Sequence, residues 1–221
     1  MKIRRRIGIS PTQQAWLVRA MQAILAAVVL AGALTGAVGT VTNAGIALAV
    51  TFLPAVLERR YTLTMDVGIV LWITTAMFLH AVGTLPLPFL DFASAYSSIW
   101  WYDHVTHALS SSLVAGVAYA TTRAIDEHTK YIVMPPAFTF VYLLLFIVAF
   151  GVVWELLEFL IAEVAAAFGT AQVLTQYGLE DTALDLFYDI LGGVLVAVFA
   201  TAHLTDISDQ LAARLDARRA R

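Results

Sequence analysis

The sequence predicts an all-α, polytopic transmembrane helix bundle of about six helices with both termini cytoplasmic, and three observations predict it. Hydrophobic residues make up 60% of the 221 and charged residues only 13%, against roughly a quarter charged in a soluble domain. The mean hydropathy is +0.80, and the apolar residues gather into runs close to the length of about 20 that an α-helix needs to cross hydrocarbon. Lys and Arg fall in alternate gaps between those runs, as expected when basic residues stay on the cytoplasmic side.

The predicted spans are 20–38, 41–57, 65–82, 102–122, 133–160 and 182–203, so that 1–204 reads as one transmembrane domain. The amino terminus, "MKIRRRIGIS", has the basic character of a signal-peptide start, and "AGALTGAVG" downstream offers small residues suited to cleavage. The apolar run between them is longer than an h-region of about 7 to 15 residues, which favours a first membrane helix. Spans one and two are separated only by "AVGTVTN", a stretch suited to a tight helical hairpin. Span four opens behind the aromatic belt Trp100, Trp101 and Tyr102. The end of the chain, 205–221, is a mixed-charge cytoplasmic tail, predicted helical and solvated, with affinity for anionic headgroups at its basic tip.

With the amino terminus inside, all 13 basic residues fall in cytoplasmic segments: Lys2 to Arg19, Arg59 and Arg60, Arg123 and Lys130, and Arg214 onward. Adding or removing one helix would scramble that segregation. The net charge of -3 says little by itself, and no nucleic-acid partner is expected. There is no cysteine, which excludes disulfides, thiolate nucleophiles and Cys-ligated zinc or iron–sulfur centres.

The opposite side has no positive charge and collects acids: Asp91, Asp103, Glu155, Glu158, Glu163, Glu180, Asp181, Asp185 and Asp189. Three spans stack these groups on single helical faces. Asp103 and His107 are i,i+4 in span four; Glu155 and Glu158 are i,i+3 in span five; Asp181, Asp185 and Asp189 descend span six in i,i+4 steps. At 1.5 Å per residue His107 lies about 6 Å deeper than Asp103, and Asp189 about 12 Å below Asp181. Asp189 is too deep for a cap, and an intramembrane acid is a functional residue by default. Asp181 also suits an N-terminal cap. Glu163 is expected to be exposed, His104 to be interfacial, with a second ligand as the alternative, and His80 to be a lone histidine closing span three. Ser111, one turn below His107, is placed to orient a ligand, and Gly192 and Gly193 to let another helix approach beneath Asp189.

Ionised carboxylates in a low-dielectric layer cost several kcal/mol each without a partner. No Lys or Arg lies on that side to supply one, so protonation, hydration or a bound cation must compensate. The expected ligands are Asp103, His107, Glu155, Glu158 and Asp185, a set of oxygen and imidazole donors suited to magnesium, manganese, zinc or non-haem iron. So many carboxylates also suit a two-metal site. Glu158 and Asp189 are the candidates for activating a water or hydroxyl.

Three stretches carry a resemblance: "YDHVTH", "WELLEF" and "DTALDLFYDILGG". Over about residues 100–196 the pattern resembles the YjdF-like family of uncharacterised polytopic membrane proteins, and more distantly the VanZ-like families, where helices bearing Asp/His, Glu and Asp residues recur in that order. The chain departs from the YjdF-like pattern at Ala183, where that pattern usually has Gln, and at Arg123-Ala124, where it has Arg-Glu. The resemblance implies a multi-pass membrane protein and transfers no reaction; the first three spans carry no recognisable pattern.

Three functions compete on these grounds: a divalent-metal-dependent enzyme acting on a lipid or lipid-linked substrate from the outer face of a prokaryotic plasma membrane, a cation or proton transporter using the Asp181, Asp185, Asp189 ladder, and a non-catalytic scaffold. The lipid bilayer is the expected surrounding in each.

Overall fold

The computed structural model describes residues 9–86, 93–129, 131–170, 172–174, 176–199 and 204–219. Asp91, Lys130, His203, Arg221 and the basic cluster Lys2 to Arg6 lie outside them. The described residues form helices and no strands. The helices associate in two compact units, Met1–Trp100 and Trp101–Arg221.

The first unit contains α1 (Pro11–Thr35), α2 (Val38–Thr51), α3 (Leu53–Tyr61), α4 (Val67–Gly83) and the single turn α5 (Ala95–Ser98). α1 begins nine residues before the predicted span because Ser10 and Gln13 form a capping box ahead of Pro11. It stops at Gly36, whose φ of 70° only glycine adopts freely, so the hairpin turns there, just ahead of "AVGTVTN". The predicted second span covers two helices. Pro54 lacks the N–H needed to continue α2, and the helix breaks at Phe52 before resuming as α3. Asp66 caps α4 by accepting from the N–H groups of Gly68 and Ile69. The core joins Leu25 of α1, Ala44 and Ala47 of α2 and Ala81 of α4.

The second unit contains α6 (Tyr102–His128), α7 (Pro136–Phe168), α8 (Leu179–Phe199) and α9 (Thr205–Arg219). α7 opens on Pro136, where the missing N–H costs nothing, and runs eight residues past its predicted end to Gly169, again left-handed. Its buried stripe is Leu143, Ile147, Gly151 and Glu155, one residue every four. Large apolar side chains around the rest of the helix, Leu145, Val153, Leu156 and Leu160 among them, are more than half exposed.

α8 shows most directly what surrounds this unit. Asp185, Asp189, Gly192 and Val196 face inward, while Leu184, Phe187, Leu191, Leu195 and Val198 face outward. Acids inside and leucines outside is the reverse of a helix on the surface of a soluble domain, and is the pattern expected of a membrane protein. α1, the α2–α3 segment and α7 are each long and apolar enough to cross a membrane, and α4 is apolar but shorter. α6 and α8 are more polar because their acids, histidines, serines and threonines concentrate on the faces that meet within the unit. The six stretches predicted as spans fall on α1, α2–α3, α4, α6, α7 and α8, and three of these are long and apolar enough to cross a membrane.

The tail is helical as predicted, and it packs on α6 rather than standing free in solvent. Leu204, Ser208 and Ala212, spaced every four residues, are buried, and Asp216 pairs with His128 at the end of α6.

Candidate metal centre

Parallel packing of α6 and α8 brings the predicted groups together. The two helices approach closely because Gly192 has no side chain: a Cβ there would collide with the Ala108 carbonyl oxygen and Ser111 Oγ of α6. Ser111 itself donates to Ala108 O at 3.2 Å, so its role here is in this contact. With the helices so close, Asp185 and Asp189 flank His107.

His107 is the hub. Its Nε2 lies 3.5 Å from Asp103 Oδ1 and 3.8 Å from Asp185 Oδ2, and its Nδ1 lies 3.3 Å from Asp189 Oδ1. A carboxylate oxygen can only accept, so Nδ1–H donates to Asp189, while Nε2 faces the other two acids. Asp103, His107 and Asp185 each offer a ligand atom, all within 4.8 Å of one another. The Nε2 separations are too long for hydrogen bonds. They fall in the range of about 3.0 to 4.2 Å expected between two atoms that share one cation at bond lengths near 2.1 Å.

Glu155 and Glu158 approach from α7. Thr182, one turn before Asp185 on α8, donates to Glu155 Oε2 at 2.9 Å and itself accepts from Gln176 Nε2. Glu155 therefore sits beside the face of α8 that carries Asp185, and it is within electrostatic range of Asp103, Asp185 and Glu158. Its other oxygen, Oε1, is buried and accepts no hydrogen bond among the described residues; the same is true of Asp185 Oδ1. Glu158 accepts from its own helix neighbour Trp154, Nε1 to Oε1 at 3.0 Å, and lies within electrostatic range of His107 and Asp103. Of the five predicted ligands, three converge closely and the two glutamates flank them.

The remaining predicted groups separate by role. Asp181, in the first turn of α8, accepts through Oδ2 from the Tyr177 N–H at 3.0 Å, a donor ahead of the helix and not one of the helical N–H groups that a cap would satisfy. Glu163 and Glu180 are exposed. His80 belongs to the first unit, where its ring nitrogens lie 3.0 Å from Tyr96 Oη and 3.3 Å from Asn43 Oδ1. Asp189 is buried, and α7 makes room for it at Gly151, where a Cβ would stand 2.5 Å from Asp189 Oδ2.

Sequence reasoning undervalued His104. Its ring stacks on Tyr188 of α8 with centroids 4.5 Å apart and planes 4° from parallel, and its Nδ1 lies 3.9 Å from Asp185 Oδ1. Its position on the helical wheel, about 60° from His107, was compatible with that role, but only the neighbouring helix reveals the stack.

Comparison with known proteins gives the chain a family and no reaction. Over 122 residues it is 29% identical to an uncharacterised protein of Thermotoga maritima, a match that spans 55% of this chain and 56% of the relative. No solved structure matches it. A family model described as a predicted membrane protein matches residues 17–206, so the family extends through the first three spans as well as the helices that carry the acids. The chain belongs to that family, the predicted membrane proteins designated DUF2238.

Proposed function

We propose that the second unit binds a divalent cation and uses it in catalysis on a lipid or lipid-linked substrate at the outer face of a prokaryotic plasma membrane. The observation that carries this reading is the convergence of Asp103, His107 and Asp185, which each offer a ligand atom within 4.8 Å of the others. The donors suit magnesium, manganese, zinc or non-haem iron. When bound, such a cation would polarise a phosphoryl or carbonyl oxygen and acidify a water.

The roles of the protein groups follow from their contacts. Asp189, a candidate base on sequence grounds, suits the positioning of His107 better, because its carboxylate holds the Nδ1–H and leaves Nε2 facing the other acids. Glu158, held by Trp154, is the better candidate for general base. No Lys or Arg occurs between Arg60 and Arg123 or between Lys130 and Arg214, so an anionic substrate group would be held through the cation and backbone dipoles. Leu156, Leu157 and Phe159, exposed around the two glutamates on α7, would leave the site open to a substrate arriving through lipid. A translocation reading of the Asp181, Asp185, Asp189 ladder has less support, since Asp181 holds the Tyr177 N–H and the inward face below Asp189 continues as Gly192 and Val196.

Metal analysis of detergent-purified protein tests the reading. Wild type should retain stoichiometric divalent metal and Asp185→Ala should lose it; wild type without metal, even after incubation with manganese, would overturn the reading. Metal retained without turnover of any component of a membrane lipid extract would overturn the catalytic half alone.

A further inference from the structure

We infer that Thr182 is a positioning residue for the proposed centre: with the direction of its hydroxyl set by Gln176, it holds the Glu155 carboxylate that α7 contributes beside the cation. This deepens the proposed metal-dependent reading and rests on it.

The hydrogen bonds run in one direction. Gln176 Nε2, in the segment just ahead of α8, donates to Thr182 Oγ1 at 2.9 Å, and Thr182 Oγ1 donates to Glu155 Oε2 at 2.9 Å. A hydroxyl has one proton to give and an amide nitrogen can only donate. The Gln176 contact therefore occupies a lone pair and sends the hydroxyl proton to Glu155. The Thr182 backbone is fixed as well, its N–H donating to Gly178 O at 3.1 Å. A helical threonine commonly spends its hydroxyl on a carbonyl of the preceding turn, as Thr106, Thr121 and Thr122 of α6 do. Thr182 instead reaches across to α7.

Burial gives that contact its weight. Glu155 is 4% exposed, and among the described residues Thr182 is the one donor to its carboxylate, Oε1 being buried without a hydrogen bond. A buried carboxylate that loses its donor bears the cost of desolvation uncompensated, so without the hydroxyl Glu155 cannot keep the same place and charge. That charge bears on the centre. Glu155 lies within electrostatic range of Asp103 and Asp185, two of the three residues that converge. Thr182 stands one turn before Asp185 on the same face of α8. One face of α8 thus presents a proposed cation ligand and, three residues earlier, the group that holds a carboxylate of the facing helix.

The test is manganese titration of the full-length protein in detergent, with infrared spectra of the same samples. Thr182→Val keeps the shape and removes the hydroxyl; it should weaken manganese binding by at least about 10-fold, the lower end for groups that orient a metal site. Thr182→Ser should restore the affinity. Gln176→Glu should weaken binding too, because a carboxylate there claims the Thr182 proton for itself. Added negative charge alone would strengthen binding, so the sign separates the two effects. The infrared spectra should show a carboxylate band that moves between wild type and Thr182→Val and stays still when both chains carry Glu155→Gln. Wild-type affinity in Thr182→Val, affinity in Thr182→Ser as weak as in Thr182→Val, or a band shift that persists without Glu155 would overturn the positioning role and leave the metal reading standing. Stronger binding in Gln176→Glu would overturn the direction set by Gln176, and no manganese bound by wild type would overturn both readings. Thermal unfolding of each variant separates loss of the contact from loss of fold.

Discussion

At the scale of single residues, the proposed centre would depend on groups that touch no cation. Asp189 holds His107 Nδ1 at 3.3 Å, and Gly151 leaves the space that Asp189 occupies. Removing such an outer partner typically weakens metal binding 10- to 100-fold. Asp189→Asn should therefore weaken manganese binding by about that factor while the protein remains folded, as measured by titration and thermal unfolding. Gly151→Ala should produce a similar loss without altering any polar group, because its Cβ displaces the Asp189 carboxylate. Full affinity in Gly151→Ala would show that His107 is oriented by other means. Much of this level was legible in the sequence. The i,i+4 and i,i+3 spacings put the acids and His107 on shared faces, and those faces do converge. What the spacings could not supply was which atom meets which: that Asp189 takes the far side of the imidazole, that Thr182 holds Glu155, and that His104 lies flat on Tyr188. Those facts depend on the rotation of a second helix, which a one-helix pattern leaves open.

At the scale of elements, α6 and α8 act through their contact. An alanine at 192 would drive its Cβ into a backbone carbonyl of α6, which cannot swing aside as a side chain could. Gly192→Ala should therefore destabilise the protein by about 3 kcal/mol, the upper end of ordinary overpacking. At the adjacent Gly193 the nearest atom is Ile147 Cγ1, 3.3 Å away on a movable side chain, and Gly193→Ala should cost about 1 kcal/mol or less. Thermal unfolding in detergent measures both, and equal effects would argue against close backbone contact at Gly192. The sequence marked this glycine pair as a place of close approach but could not say which of the two bears the contact. Helix ends were less legible where local chemistry overrode hydropathy. The Ser10 capping box carries α1 beyond its apolar run, and Pro54 divides one apolar run into two helices. The tail was harder still, since its buried residues Leu204, Ser208 and Ala212 are too small and mixed to resemble a packed face.

At the scale of the whole molecule, the pattern of basic residues makes a prediction about orientation. The chain has no cysteine, so single cysteines can be introduced without background labelling. A membrane-impermeant maleimide applied to intact cells should label Thr170→Cys, beyond the end of α7 that carries the glutamates, and should spare Arg214→Cys in α9 until the cells are permeabilised. The reverse pattern would place the acidic groups on the cytoplasmic side and remove the outer-face substrate from the proposed function. Fold class and family were readable from the sequence, because a membrane imposes long apolar runs whatever the protein does. The division into two units was not, since hydropathy records what faces lipid and carries no information about which helices associate.

The backbone contact at Gly192 has one more consequence. Two helices that pack backbone to backbone at Gly192 hold their ligands close together, so the proposed centre would favour a small ion. Calcium, which needs bonds of about 2.4 Å and six to eight oxygens, would fit poorly, while manganese, magnesium and zinc, with bonds near 2.1 Å, would be admitted. Competition between calcium and manganese in the wild type reads that preference directly, and it should relax in Gly192→Ala if the helices are forced apart.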